Sequence, residues 1–311
     1  MISVIICTYN PDQARLDRVL AALNAQTLAR DRWELIVVDN ASTAPVDVSV
    51  ADVGPRVVPE PRQGLSWARF TGVSEARHPL VVFVDDDNVL DPGYLSAAAA
   101  IASAHPTLGA FGGRSIPDWE GGAAPPVWIA EFHGNLALRD LGSEEIIQAW
   151  VAGGPFPTAA PIGAGMVARK DAMARWMSAF ADGARISDRR GRELTSGGDN
   201  DIVITILEQG YSVGYFPDLV LTHIIPAARL EVAHQGRLSR GIAKSWVEVL
   251  ALHDLNPWKP IAPWTRPLRK ARAWLHHRPW ESPARFVRFN AACGHFDGLA
   301  ALARQGKGPS P

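Results

Sequence analysis

ISVIICTYN (residues 2–10) is a short, largely apolar run that stops at a polar cluster. Two further segments are built the same way, LIVVDN (residues 35–40) and LVVFVDDDN (residues 80–88). Short, β-branched apolar runs of this kind suit strands buried on both faces. Between the first two, Leu16, Val19, Leu20 and Leu23 recur at spacings of three and four, and Pro11 and Asp12 stand where a helix would start. Leu65–Ala76 predicts a second helix before the third run. The order β-α-β-α-β predicts an α/β fold with a mostly parallel, doubly wound sheet flanked by helices. Ligands of such sheets sit beyond the carboxyl ends of the strands. Thr8-Tyr9-Asn10, Asp39-Asn40 and Asp85-Asp86-Asp87 all fall at that edge.

Downstream, Tyr94–Ala104 predicts an Ala-rich helix and the Pro/Gly/Trp-rich stretch Pro117–Trp128 a long surface loop. Ala164–Ala168 predicts a strand, Lys170–Phe180 a helix and Asp182–Leu194 a charged loop. Asp201–Gly210 predicts a helix, and Val213–Phe216 and Leu219–Thr222 two short strands. From Ala227 onward the pattern is helical, basic and interrupted by prolines. We therefore expect a body over residues 1–225 and a C-terminal helical, Trp-rich basic extension over 226–311.

The 311 residues carry a formal net charge of −1, which conceals a split: −10 over residues 1–225 and +9 over 226–311. With 47% apolar and 20% charged residues, the chain is an ordinary folding sequence. Two cysteines, Cys7 and Cys293, imply no disulfide framework or zinc cluster. No apolar run reaches the roughly 18 residues that span a bilayer, and the N-terminus lacks the pattern of a signal peptide. The expected location is cytoplasmic, with peripheral contact at the inner face of the membrane left open.

Three adjacent carboxylates at the end of a buried strand repel one another unless a cation or solvent compensates them. Hard oxygen ligands suit Mg²⁺ or Mn²⁺; the plain alternative is a solvated strand end with an Asx turn at Asn88. Asp39 could equally cap a turn, and Asp199 or Asn200 could cap the helix that follows Gly197-Gly198. His223 follows a short strand and, alone, is as ordinary as any histidine.

Taken in order, these segments resemble glycosyltransferase family 2, the inverting, nucleotide-sugar-dependent enzymes of the GT-A fold. SVIICTYNP looks like the first strand and nucleotide-binding loop of that family, and IVVDNAS like its second strand with the base-recognising Asp. Arg62–Arg69 (RQGLSWAR) is similar to its Gly-Leu-Ser-x-Ala-Arg segment, VVFVDDDN resembles the strand that carries the DxD signature, and SGGDNDI stands where the catalytic base is found. The resemblance covers roughly residues 1–225. It implies that Thr8, Tyr9, Asn10 and Asp39 hold the nucleoside, that Arg69, Asp85, Asp86 and Arg114 complete the donor site, and that Asp87 and His223 bind the metal, Mg²⁺ or Mn²⁺. It further implies that Asp199 is the general base, with Gly198, Asp201 and Trp119 on the acceptor side, and that Gly112-Gly113-Arg114 is a loop beside the sugars. Relatives often have Glu where Gly198 stands, so acceptor binding is the point of departure. The implied reaction moves a sugar from a nucleoside-diphosphate sugar, a UDP-sugar first, to a hydroxyl of a glycan or lipid-linked acceptor in bacterial-type polysaccharide or glycolipid synthesis. A catalytically silent GT-A-like protein that binds a glycan or a membrane is the alternative.

Five of the eleven tryptophans lie between Trp246 and Trp280, and residues 259–288 carry eight Lys or Arg against one acid, Glu281. Basic residues interleaved with Trp suit an anionic membrane surface. Equally open are Trp rings packed on the body, cations that neutralise a diphosphate, and pairing with an acidic neighbour in a homodimer. No nucleic-acid-binding motif accompanies the charge.

Overall fold

A computed structural model describes residues 1–122, 124–151, 154–181 and 197–304. The expected charged loop Asp182–Leu194 lies outside the described residues. The described residues form two compact units. The first is built from Met1–Asp118, from the stretch starting at Ala137, and from Asp199–Ile225; the second from Trp119–Leu136, residues 197–198 and the stretch starting at Pro226.

The first unit is centred on one mixed sheet. Its strands are β1 (Ile2–Thr8), β2 (Trp33–Asp39), β3 (Arg56–Pro59), β4 (Leu80–Asp85), β5 (Asn88–Leu90), β6 (Leu108–Trp119), β7 (Ile146–Gln148), β8 (Val167–Arg169) and β9 (Ser212–Ile225). The order is β3-β2-β1-β4-β8-β6-β9-β5, with β7 added alongside β9. β3, β2, β1 and β4 run parallel; β8 joins β4 antiparallel, and β5 and β7 join β9 antiparallel. The three apolar runs of the sequence are thus the central parallel strands. β3 has only four residues with alternating half-burial, too short for a sequence signal.

Successive side chains of a strand point to opposite faces. Ile2, Val4 and Ile6 of β1 pack with Leu16, Val19, Leu20 and Leu23 of helix α1 (Gln13–Asn24), and with Tyr94, Leu95 and Ala98 beyond it. Asp12 caps α1, its carboxylate accepting from Arg15 N–H at 3.2 Å, a contact worth ~1 kcal/mol. Ile5 faces the other way, into a core with Ala68 and Val73 of α2 (Leu65–Glu75). Tyr94 and its neighbours belong to α3 (Tyr94–Ala104). The second core also takes Trp176 and Phe180 of α4 (Ala174–Ala181) and Ile202, Val203 and Ile206 of α5 (Gly198–Leu207). Helices therefore cover both faces, as the order of the runs predicts.

Three expectations about local structure change. Val213–Phe216 and Leu219–Thr222 are one continuous strand, because Pro217 falls between the part paired with β7 and the part paired with β5. Gly112-Gly113-Arg114 lies inside β6, not in a loop. Pro117–Trp128 is likewise strand up to Trp119, with short 3₁₀ turns at Glu120–Gly122 and from Val127.

The second unit contains α6 (Val232–Leu252), α7 (Arg266–His277) and α8 (Pro283–Arg304). Val247, Ala251, Ile261, Leu299 and Leu302 form its core. Gly294 lets α8 approach α6: a Cβ there would lie 2.0 Å from the Arg240 carbonyl oxygen. Among the described residues no helix is long and apolar enough to cross a membrane.

Gly113 has no room for a side chain either, since a Cβ would meet the carbonyl oxygens of Leu219 and Phe216 at 2.1 and 2.4 Å. Backbone cannot rotate away as a side chain can, so we expect Gly113→Ala to cost about 3 kcal/mol, read as a lower urea midpoint. An unchanged midpoint would show that β6 and β9 are not this closely packed in solution.

Candidate active site

The parallel register sets three polar strand ends side by side. Thr8 pairs with Asp39 across β1 and β2, and Cys7 with Asp85 across β1 and β4. The Thr8 hydroxyl donates to the Asp86 carboxylate, which ties the end of β1 to the turn after β4. Asn10 and Asp39 order the loop after β2. Asn10 N–H donates to Ser42 Oγ at 2.9 Å, Asn10 Oδ1 accepts from Thr43, and Asp39 Oδ1 accepts from Ser42 N–H at 2.9 Å. Ala41 in that loop has left-handed backbone, φ 63°, a conformation that costs a non-glycine residue about 1 kcal/mol. Tyr9 stands exposed at the same edge.

Asp87 and His223 come together although 136 positions separate them. Strand pairing sets Asn88 opposite His223, and Ile224 N–H donates to the Asp87 carbonyl at 2.9 Å. His223 Nε2 then lies 3.3 Å from Asp87 Oδ2, both side chains being buried. Asn88 steadies the turn: its amide donates to Asp87 Oδ1 at 3.0 Å and its oxygen accepts from Asp85 N–H at 3.3 Å. Among the described residues no group of three or more His, Cys, Asp or Glu gathers as a cation cage. One carboxylate and one imidazole are two donors that would hold a divalent cation only together with oxygens from a bound phosphate group and water.

Asp199 sits in the first turn of α5, and its Oδ2 accepts from Gly163 N–H at 3.0 Å. The Gly163 loop is pinned to β4 through Gly165 N–H, which donates to the Phe83 carbonyl at 3.0 Å. Arg69 of α2 is buried against the same loop. A Cβ on Gly163 would lie 2.3 Å from its guanidinium and 3.4 Å from Asp199 Oδ2. A side chain at position 163 would therefore crowd both the Arg69 guanidinium and the Asp199 carboxylate, and no sequence signal marks this glycine.

The contacts of the remaining candidates are local ones. Asp201 is fully buried and accepts from Trp176 Nε1 at 2.9 Å, so its carboxylate ties α4 to α5. Arg114 is held by Asp140 at 3.3 Å. Gly198 and Trp119 fall in the second unit, where the Trp119 ring lies 6.3 Å from that of His133. Burial pushes the Cys7 thiol up to about 12 against the pull of Arg69, which disfavours its thiolate.

Residues 3–153 match the family model of glycosyl transferase family 2. An uncharacterized glycosyltransferase of Mycobacterium tuberculosis (strain ATCC 25618 / H37Rv) is 34% identical over 99 residues, 32% of this chain and 42% of that one. An uncharacterized protein of Sinorhizobium fredii is 33% identical over 113 residues, 34% of this chain and 12% of its own. The chain spans less than half the length of these curated relatives. Among solved structures, a mannosyltransferase of Pyrobaculum calidifontis in complex with GDP-Man and Mn²⁺ superposes with a TM-score of 0.55 at 20% identity, covering 98% of this chain and 79% of that one. S. aureus TarS 1-349 in complex with UDP-GlcNAc gives 0.51 at 14%, covering 98% and 92%. What this chain shares with both is the GT-A fold.

Beside these candidate residues lies a support that the sequence reading missed. The Asn40 side chain donates to the Glu60 and Arg62 carbonyls and accepts from Gly64 N–H at 2.8 Å, so it organises the whole turn into α2. Burial alone would push the Glu60 carboxyl up, but hydrogen bonds from Arg62 and Thr71 and the Arg62 charge outweigh it and hold the group down at about 2. A depressed carboxyl contributes stability that is complete above its unfolded value and lost as pH falls toward the folded one. We expect the difference in unfolding free energy between the parent and Glu60→Gln to be roughly 3 kcal/mol at neutral pH and to vanish between about pH 4.5 and pH 2. Urea unfolding across that range reads it; a gap that persists at the acid end would assign the loss to packing instead.

Proposed function

We propose that this chain is an inverting, metal-assisted glycosyltransferase that moves a sugar from a nucleoside-diphosphate sugar to an acceptor hydroxyl. The observation that carries the reading is the convergence, in and beside the family segment, of three strand ends and the Asp87–His223 pair. Asp39, oriented by Ser42, accepts from the base, while Thr8, Tyr9 and Asn10 line the nucleoside. Asp85 and Asp86 stand at the ribose. Asp87 and His223 are the protein ligands of a Mg²⁺ or Mn²⁺ ion, which would offset the charge that develops on the departing diphosphate. Arg69 supplies a further positive charge beside Asp199, and Arg114 borders the donor sugar.

The acceptor hydroxyl has to lose its proton as it attacks the anomeric carbon. Asp199 takes that proton, held in place by Gly163 N–H, and such help is worth about 10²–10⁴-fold. Attack opposite the leaving group inverts the anomeric centre, and no covalent sugar–enzyme bond is formed. Gly198 and Trp119 remain on the acceptor side of this reading, and Asp201 supports the helix that carries Asp199. A UDP-sugar is the first donor to try, with a glycan or lipid-linked acceptor.

Incubation with a panel of nucleotide-sugars, acceptors and Mg²⁺ or Mn²⁺ should release nucleoside diphosphate, and a chelator should stop it. Release of none, without thermal stabilisation by any nucleoside diphosphate, would overturn the proposal. Binding without turnover would instead support a silent recognition protein. Asp199→Asn should lower kcat by about 10²–10⁴-fold and leave donor Kd nearly unchanged; undiminished transfer removes Asp199 from the chemistry.

A further inference from the structure

We propose that α7 and the turn before it form a docking surface for a bilayer containing anionic phospholipid. α7 turns Arg266, Lys270, Ala273 and His277 inward, at spacings of three and four, and Lys270 and Arg266 both reach Asp297 of α8. The opposite face carries Trp264, Leu268, Ala271 and Leu275 at the same spacings, so these side chains line up along one stripe. They are out in solvent: Trp264 is 82% exposed, Leu268 76% and Leu275 64%. Trp274 and Trp280 flank the stripe, 46% and 57% exposed, their rings 4.2 Å apart. The tryptophans of this stretch therefore do not find their places in the core.

Two arginines, Arg269 and Arg272, border the other flank. Arg269, Arg272, His276 and His277 line a groove of about 360 Å³ between α7 and α8. Unlike Arg266 and Lys270, Arg269 and Arg272 have no carboxylate partner among the described residues. An apolar stripe edged by cations is what a helix lying in the headgroup region needs: rings and leucines at the acyl boundary, guanidinium groups on lipid phosphates. Twelve residues bounded by prolines lie in the interface and do not cross it. A second copy of the chain would set the basic border against itself, and a nucleic acid would leave the leucines in water. The anionic bilayer satisfies both halves of the surface. The inference stands on the second unit alone and is independent of the proposed chemistry.

The test is flotation of the full chain with phosphatidylcholine vesicles and with phosphatidylcholine–phosphatidylglycerol vesicles. We expect binding to the second and little to the first, weakening as salt rises. Arg269→Ala/Arg272→Ala should lower partitioning roughly 25-fold, about fivefold per cation, and Leu268→Ser/Leu275→Ser roughly tenfold per leucine. All four side chains are exposed, so melting temperature and nucleoside-diphosphate binding should stay as in the parent. Quenching of tryptophan fluorescence by brominated lipid should drop in Trp264→Phe. Equal binding to both vesicles, binding to neither, or variants that bind like the parent would overturn the proposal. So would a dimer in solution that Leu268→Ser/Leu275→Ser dissolves, which would make the occupant a second copy.

Discussion

β1 is hydrogen-bonded along both edges and buried on both faces, and the site inherits its precision from that strand. Ile2, Val4, Ile5 and Ile6 are wholly inaccessible to solvent, divided between two cores on opposite sides of the sheet. A slip of one residue would send each of these side chains into the wrong core, so the register with β2 and β4 is strongly determined. Because the register is determined, so is the neighbourhood of Thr8, Asp39 and Asp85. Polar chemistry at the strand ends is a by-product of apolar packing along them.

The rest of the site is assembled by segments that close on this frame. β5 and β9 pair antiparallel and bring His223 to Asp87. The Gly163 loop hangs from β4 and receives Asp199 from the start of α5 and Arg69 from α2. Asn40 and Glu60 then stiffen the turn that leads into α2. Glycine is used at Gly113 and Gly163 for closeness rather than for backbone freedom, since both lie where another group fills the space of a Cβ.

The charge split also acquires a structural meaning. Part of the acidic excess of the first 225 residues is gathered at the strand ends, where it would oppose an anionic donor unless a cation intervenes. In the second unit the positive excess divides in two: Arg240, Arg266 and Lys270 converge on Asp297 and hold helices together, whereas Arg269 and Arg272 border an apolar stripe in solvent. Structural and outward-facing cations are indistinguishable by composition. On α7, only the face on which each stands separates them.

The sequence by itself determined the parallel core and the polar ends of its strands. Both follow from local periodicity: ISVIIC, LIVV and LVVFV are readable as buried strands one at a time, and each polar cluster is adjacent in the chain to the strand that positions it. What depends on distant partners was not legible. Asp199 and Asp201 read alike in SGGDNDI, yet one meets Gly163 at the site and the other meets Trp176 in the core. Gly112-Gly113 reads as a loop and is a strand, because the demand for glycine comes from carbonyls of β9 more than a hundred positions away. Trp264 and Trp274 read equally as core or as surface until the packing of α7 on α8 turned one face outward. Tertiary structure decided these cases because burial and contact belong to pairs of segments, and a single segment carries no record of its partner.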